Sequence, residues 1–128
     1  MSPAQACAQS SSRVLVVEDQ DEIREFVAFV LQNEGYCVAT ADNGAVALEE
    51  VGRKPVGVVL LDMRMPVMDG WAFADAYRQQ PGPHAPIVVL TAAHDAAARA
   101  AQINADGYLG KPFELDDLLN IVARYARG

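Results

Sequence analysis

The chain has 128 residues, 10 Lys and Arg against 17 Asp and Glu, and a formal net charge of −7. That length suits one domain and buries roughly two-thirds of the unfolded chain's surface, so folding requires no metal or disulfide staple. The charge excludes the basic stripe of a nucleic-acid surface, and an apolar fraction of 52% excludes disorder.

Residues 1–12 are small and polar, without the charged start and hydrophobic centre of a secretory signal, and are expected as a flexible leader before one domain over 13–127. No apolar run approaches the ~18 residues of a spanning helix, so a cytoplasmic protein without membrane insertion is expected. Two cysteines, Cys7 and Cys37, are too few for a disulfide framework and are expected to be reduced. Val14-Leu15-Val16-Val17 reads as a strand buried on both faces and stops at Glu18-Asp19. The spacing of Ile23, Phe26, Val27, Val30 and Leu31 predicts an amphipathic helix with that stripe inward, ending at Gly35. Cys37 to Ala41 is a second strand, and Asp42 or Asn43 caps a helix with Leu48 and Val51 inward, broken at Pro55. Val56 to Leu61 is the third strand, running into Asp62. Pro66 and Asp69-Gly70 mark a loop, and a helix follows from Trp71 to Gln80 with Phe73, Ala76 and Tyr77 on one side. Trp71 is expected as partly exposed packing. Ile87 to Leu90 is a fourth strand ending at Thr91. The alanine-rich stretch from His94 to Ile103 has good helix propensity but few large apolar residues, so it is expected to pack weakly and move most. His84 and His94 read as solvated surface residues. Gly107-Tyr108-Leu109 is a short fifth strand reaching Lys111-Pro112, and Leu115, Leu118, Leu119 and Val122 form the inward stripe of the last helix.

The rhythm is strand then helix, five times, without an internal repeat. It predicts an α/β fold, a doubly wound three-layer sandwich whose parallel sheet carries helices on both faces through right-handed crossovers. In such sheets ligands bind beyond the carboxyl ends of the strands. The residues there are Glu18, Asp19, Asp62, Thr91 and Lys111, spread along the chain yet each closing an apolar run. Three converging carboxylates repel one another, and a hard divalent cation such as Mg2+ relieves the repulsion. A carboxylate beside a cation and a lysine can act as a nucleophile toward phosphorus, with Lys111 neutralising phosphoryl charge and Thr91 donating a hydrogen bond.

Glu18-Asp19, the run Asp62-Met63-Arg64-Met65-Pro66-Val67-Met68-Asp69-Gly70, Thr91-Ala92, and Gly107-Tyr108-Leu109-Gly110-Lys111-Pro112-Phe113 resemble the receiver domains of two-component response regulators, of the chemotaxis-regulator kind. The likeness covers nearly the whole chain from Arg13. It implies a flavodoxin-like sheet of order 2-1-3-4-5. It implies that Asp62 accepts a phosphoryl group from a partner histidine kinase or phosphotransfer protein. Asp19 and Asp62 would hold Mg2+, with Glu18 acting directly or through water and the backbone carbonyl of Arg64 completing the protein ligands. Lys111 would pair with the acids before transfer and with the phosphoryl group after it. Thr91 and Tyr108 would be the switch pair, Thr91 moving toward the phosphate and Tyr108 changing rotamer behind it. The Lys111-Pro112 bond matches a family position that is cis. By the same likeness the chain is a signalling domain rather than an enzyme, catalysing only its own phosphorylation and dephosphorylation. Its partners would be the kinase, through the first helix and the loop after the fifth strand, and a downstream protein, through the face made by the fourth helix, fifth strand and fifth helix. Direct nucleic-acid binding is not expected. Ala93, being small, leaves room for water and suggests a phosphoryl lifetime limited by hydrolysis.

Rival readings are weaker. A phosphohydrolase with an aspartyl nucleophile needs a second acid where Arg64 stands. A flavin module needs a Ser/Thr/Gly-rich phosphate loop where Glu18-Asp19 stand. The remaining alternatives are a receiver-like interaction module that works without phosphorylation, and a receiver cut from a longer regulator or hybrid kinase. A stand-alone regulator is the expectation.

Overall fold

Each of the five runs becomes a parallel strand, and the three central ones, from Arg13, Val58 and Ile87, are buried on both faces as suits a sheet covered by helices. A computed structural model describes residues 13–126; the expected leader and Arg127 lie outside it. The elements are β1 (Arg13–Val17), α1 (Asp21–Asn33), β2 (Cys37–Ala41), α2 (Gly44–Arg53), β3 (Val58–Asp62), α3 (Gly70–Gln79), β4 (Ile87–Ala92), α4 (Ala93–Gln102), β5 (Gly107–Lys111) and α5 (Leu115–Tyr125). The sheet order is β2-β1-β3-β4-β5, all parallel. This is the doubly wound sandwich expected. None of the described helices is long and apolar enough to cross a membrane.

Alternation along the strands divides the core into two layers. Leu15, Val17, Val59, Leu61, Ile87 and Val89 pack with Ala47, Phe73, Tyr77 and Ala100, so α2, α3 and α4 cover that face. Val14, Val16, Val58, Leu60, Val88 and Leu90 pack with Val27 and Leu31 of α1 and with Leu118 and Val122 of α5. Polar ties close the ends. The Asn43 carboxamide caps α2 through Val46 N at 3.0 Å, and the Asp69 carboxylate caps α3 through Ala72 N at 2.9 Å. Buried Arg13 reaches Glu50 at 2.8 Å and the carbonyl of Lys54 at 2.7 Å, fastening the start of the sheet to the end of α2.

Several sequence expectations need correction. Phe26, expected inward, is 52% exposed, and Leu115 is also exposed. Only the centre of each helical stripe meets the sheet, and these residues lie at its edge. Strand β3 begins at Val58 rather than Val56, and α4 starts at Ala93 with no loop after β4. Helix α4 is also better seated than its composition suggests. Ala96, Ala100 and Ile103 are buried, and a Cβ on Gly110 would fall 2.5 Å from Ala93 Cα. Small residues there let helix and strand backbones touch. Cys37 is disulfide-bonded rather than reduced; a cysteine count carries compartment statistics and no geometry.

Candidate functional site

A parallel sheet brings the carboxyl ends of all its strands to one edge, which is why residues distant in the chain can meet there. Beyond β1, Glu18 N donates to Ala41 O at 2.9 Å, so the ladder carries Glu18 one residue past Val17 before the chain turns into α1. Asp62 is the last residue of β3 and Lys111 the last of β5. One carboxylate oxygen from each of Glu18, Asp19 and Asp62 lies within 4.8 Å of the others.

Electrostatics make this arrangement demanding. Glu18 is fully buried and Asp62 nearly so. Lys111 Nζ donates to Glu18 Oε1 and stands 3.8 Å from Asp62 Oδ1. The Gln20 amide donates to Glu18 Oε2 at 3.2 Å, and Arg24 donates to the Glu18 carbonyl at 2.9 Å. The Glu18 carboxylate therefore has a charged partner on one oxygen and a backbone amide on the other, while Arg24 holds its backbone carbonyl. Asp62 has less support. Burial and the adjacent Glu18 charge push its carboxyl up to about 7 against the pull of Lys111, and hydrogen bonds with Glu18 and Asp19 raise it further. Clustered hard oxygen donors around an acid reluctant to ionise form a set that fits a small divalent cation.

The structure thus brings Glu18, Asp19, Asp62 and Lys111 together. Thr91 is buried on β4, one residue past Leu90, the ladder partner of Asp62. Tyr108 lies across from Val89 on β5 with its side chain half exposed. Arg64 is exposed and makes no ion pair or side-chain hydrogen bond among the described residues. The Lys111-Pro112 peptide is cis. His94 and His84 are both exposed as expected, and His84 Nε2 also lies 2.7 Å from Gln80 O with its ring edge-on to Tyr77.

The loop after Asp62 is tightly wound. Met68 N donates to Pro66 O at 2.7 Å, closing a γ-turn over Val67, whose φ is 68° and whose side chain is 84% exposed. A β-branched residue is strained there. Val67→Gly is expected to stabilise the protein by about 1 kcal/mol, read as a higher urea midpoint at unchanged slope. A Cβ on Gly70 would lie 2.8 Å from Asp62 O, so only glycine lets this loop close against the strand end.

Two features escaped the sequence reading. Arg24 fixes the backbone of the acid pair; its only signal was a cation among acids in the opening turns of α1. Ile23, Phe26, Ala92, Lys111, Pro112 and Phe113 line an apolar groove beside the acids. Its signal is Phe26, which the helical stripe points inward and the fold leaves exposed.

Comparison with known proteins agrees with this geometry. Residues 14–123 match the family described as the response regulator receiver domain. The chain is 39% identical over 113 residues to the DNA-binding transcriptional regulator NtrC of Escherichia coli K12, which covers 87% of this chain and 24% of NtrC. It is 39% identical over 109 residues to the response regulator MprA of Mycobacterium leprae, covering 84% of this chain and 47% of that one. It therefore spans a minor part of these relatives. Among solved structures, Vibrio cholerae CheY4 superposes with a TM-score of 0.77 at 34% identity, covering 88% of this chain and 97% of that one. The receiver domain of the sensor histidine kinase PA1611 from Pseudomonas aeruginosa PAO1 superposes with a TM-score of 0.81 at 31% identity, covering 89% and 96% respectively. That structure holds a magnesium ion in its active-site cleft.

Proposed function

This chain belongs to the response regulator receiver domain family, and on that premise we propose that Asp62 accepts a phosphoryl group from a phosphohistidine on a partner protein. The observation that carries this reading is the convergence of three carboxylates with Lys111 at one edge of the sheet. A carboxylate oxygen of Asp62 attacks phosphorus, the P–N bond breaks, and the partner's imidazole leaves with the bonding pair and takes a proton. Lys111 is within reach of Asp62 and turns from Glu18 toward the incoming phosphoryl oxygens. Thr91 supplies a hydroxyl donor to the same oxygens once transfer has occurred, and Tyr108 repositions behind it. Arg24 and the Gln20 amide keep Glu18 fixed throughout. Glu18, Asp19, Asp62 and the Arg64 carbonyl are the groups to hold Mg2+, which supplies charge neutralisation for the transferring group. The chain's chemistry is then limited to gaining and losing its own phosphoryl group.

The apolar groove beside the acids supports docking of the phosphodonor, since it places a hydrophobic contact next to Lys111. Phe26→Ala is expected to leave phosphorylation by acetyl phosphate unchanged while slowing transfer from a phosphorylated histidine protein about tenfold, the loss typical of an exposed aromatic anchor. Net charge supports protein partners over nucleic acid. The domain itself is assigned to residues 13–127. The direct test is incubation with acetyl phosphate and Mg2+ followed by mass spectrometry. The reading requires a phosphate on Asp62, lost on acid or hydroxylamine treatment. Labelling elsewhere, or none with Mg2+ bound, overturns it.

A further inference from the structure

The two ends of α4 are held very differently. At its C-terminal end the Trp71 indole N–H donates to Gln102 Oε1 at 2.8 Å, and the Arg99 guanidinium lies 5.7 Å from the centre of the Trp71 ring. Arg78, from the end of α3, donates to the carbonyl of Ile103 and to that of Asn104 at 2.9 Å, occupying acceptors that the helix end leaves open. Ala100 and Ile103 are buried below. At the N-terminal end, the cap residue Ala92 has no side-chain acceptor for the first amides, and Ala93 and His94 are exposed. Among the described residues that end meets the rest of the fold through small contacts, Ala96 on the core and Ala93 against Gly110, while the ion pairs of Asp95 with His94 at 3.5 Å and Arg99 at 3.7 Å stay within the helix.

We infer that Trp71 is a positioning residue for signalling, pinning the far end of α4 to the start of α3 so that α4 pivots from its end beside Thr91. The inference rests on the proposed phosphorylation of Asp62 for what drives the motion, though not for the pin. Trp71 is well placed for the task. It follows Gly70 and the cap Asp69, so it sits on the helix that begins where the loop from Asp62 closes. A pull on Thr91 at the end of β4 reaches α4 directly, because no loop intervenes. With the C-terminal end fixed through Trp71, Arg99 and Arg78, the displacement is taken up in the first turns. The face offered to a downstream partner then tilts rather than slides.

Hydrogen exchange of the full chain, read by mass spectrometry over residues 93–97 and 98–105, tests this. In the wild type with acetyl phosphate and Mg2+, exchange is expected to change over 93–97 and to stay constant over 98–105. Without donor, Trp71→Phe and Gln102→Leu each remove the indole hydrogen bond and should speed exchange over 98–105 roughly five- to tenfold, the factor for one lost hydrogen bond. Asp62 labelling should keep its wild-type rate in both. Unchanged exchange over 98–105 in both variants would overturn the pin, and an equal response of both halves to phosphorylation would overturn the pivot. Failure of the wild type to label at Asp62 defeats the phosphorylation reading and with it the pivot, while the donor-free comparison still decides whether Trp71 holds the helix.

Discussion

Replacing Lys111 with methionine is expected to destabilise the protein by about 3–5 kcal/mol, the cost of leaving a buried carboxylate without its partner. Lys111 is the cation on Glu18, and the remaining donors to that residue are neutral amide or backbone-directed contacts. Methionine keeps the length and apolar stem of lysine, so the loss is electrostatic rather than a packing defect. Adding Glu18→Gln should recover most of the loss, because it removes the charge left without a partner. Urea unfolding of wild type, single and double variants at pH 8 measures this. A single variant as stable as wild type at pH 8 would show that Lys111 does not neutralise Glu18.

Asp62→Asn acts in the opposite direction on stability. In the metal-free protein the carboxyl of Asp62 stands at about 7, against an ordinary 3.8, because it is buried beside Glu18. Between those values the folded state binds more protons than the unfolded state, so the contribution of Asp62 to stability declines as pH rises through the window and levels off above about 7. The Asn variant lacks this decline. It is expected to exceed wild type by roughly 2–4 kcal/mol at pH 8 without divalent cation, with little difference at pH 4. Mg2+ should narrow the gap by stabilising wild type selectively, since binding to the folded state alone raises its stability. Chemical denaturation at pH 4 and pH 8, with Mg2+ or a chelator, reads all four conditions. A gap that is the same at both pH values would mean that ionisation of the buried Asp62 carboxyl is not its source. The same variant should take no phosphoryl group from acetyl phosphate.

What was legible in the sequence followed from one constraint. Val14–Val17, Val58–Leu61 and Ile87–Leu90 are continuous apolar runs, and such runs have no stable place except between two helical layers. Once they are parallel strands, Glu18, Asp62 and Lys111 meet because each closes a strand. The helices were less legible at their margins. Periodicity reports that Phe26 and Leu115 belong to an apolar stripe, but not how much of the stripe the sheet can cover. The seating of α4 was invisible for a related reason: propensity weighs alanine as a poor packer, whereas here Ala93 against Gly110 gains close backbone approach. Trp71 and Gln102 are 31 residues apart and neither lies in a spacing pattern, so only the fold pairs them. Loop strain at Val67 carried no signal either, since valine is the residue least expected at positive φ.

The ion pair between Glu18 and Lys111 joins positions 93 residues apart, the first strand's exit and the last strand's end. Lys111 can reach Glu18 only with β5 in place beside β4, so the cation of the pocket depends on the last strand of the sheet being joined. On the proposed reading, a chain whose final strand has not joined would lack the charge partner of its acids, which ties competence to receive a phosphoryl group to completion of the native topology.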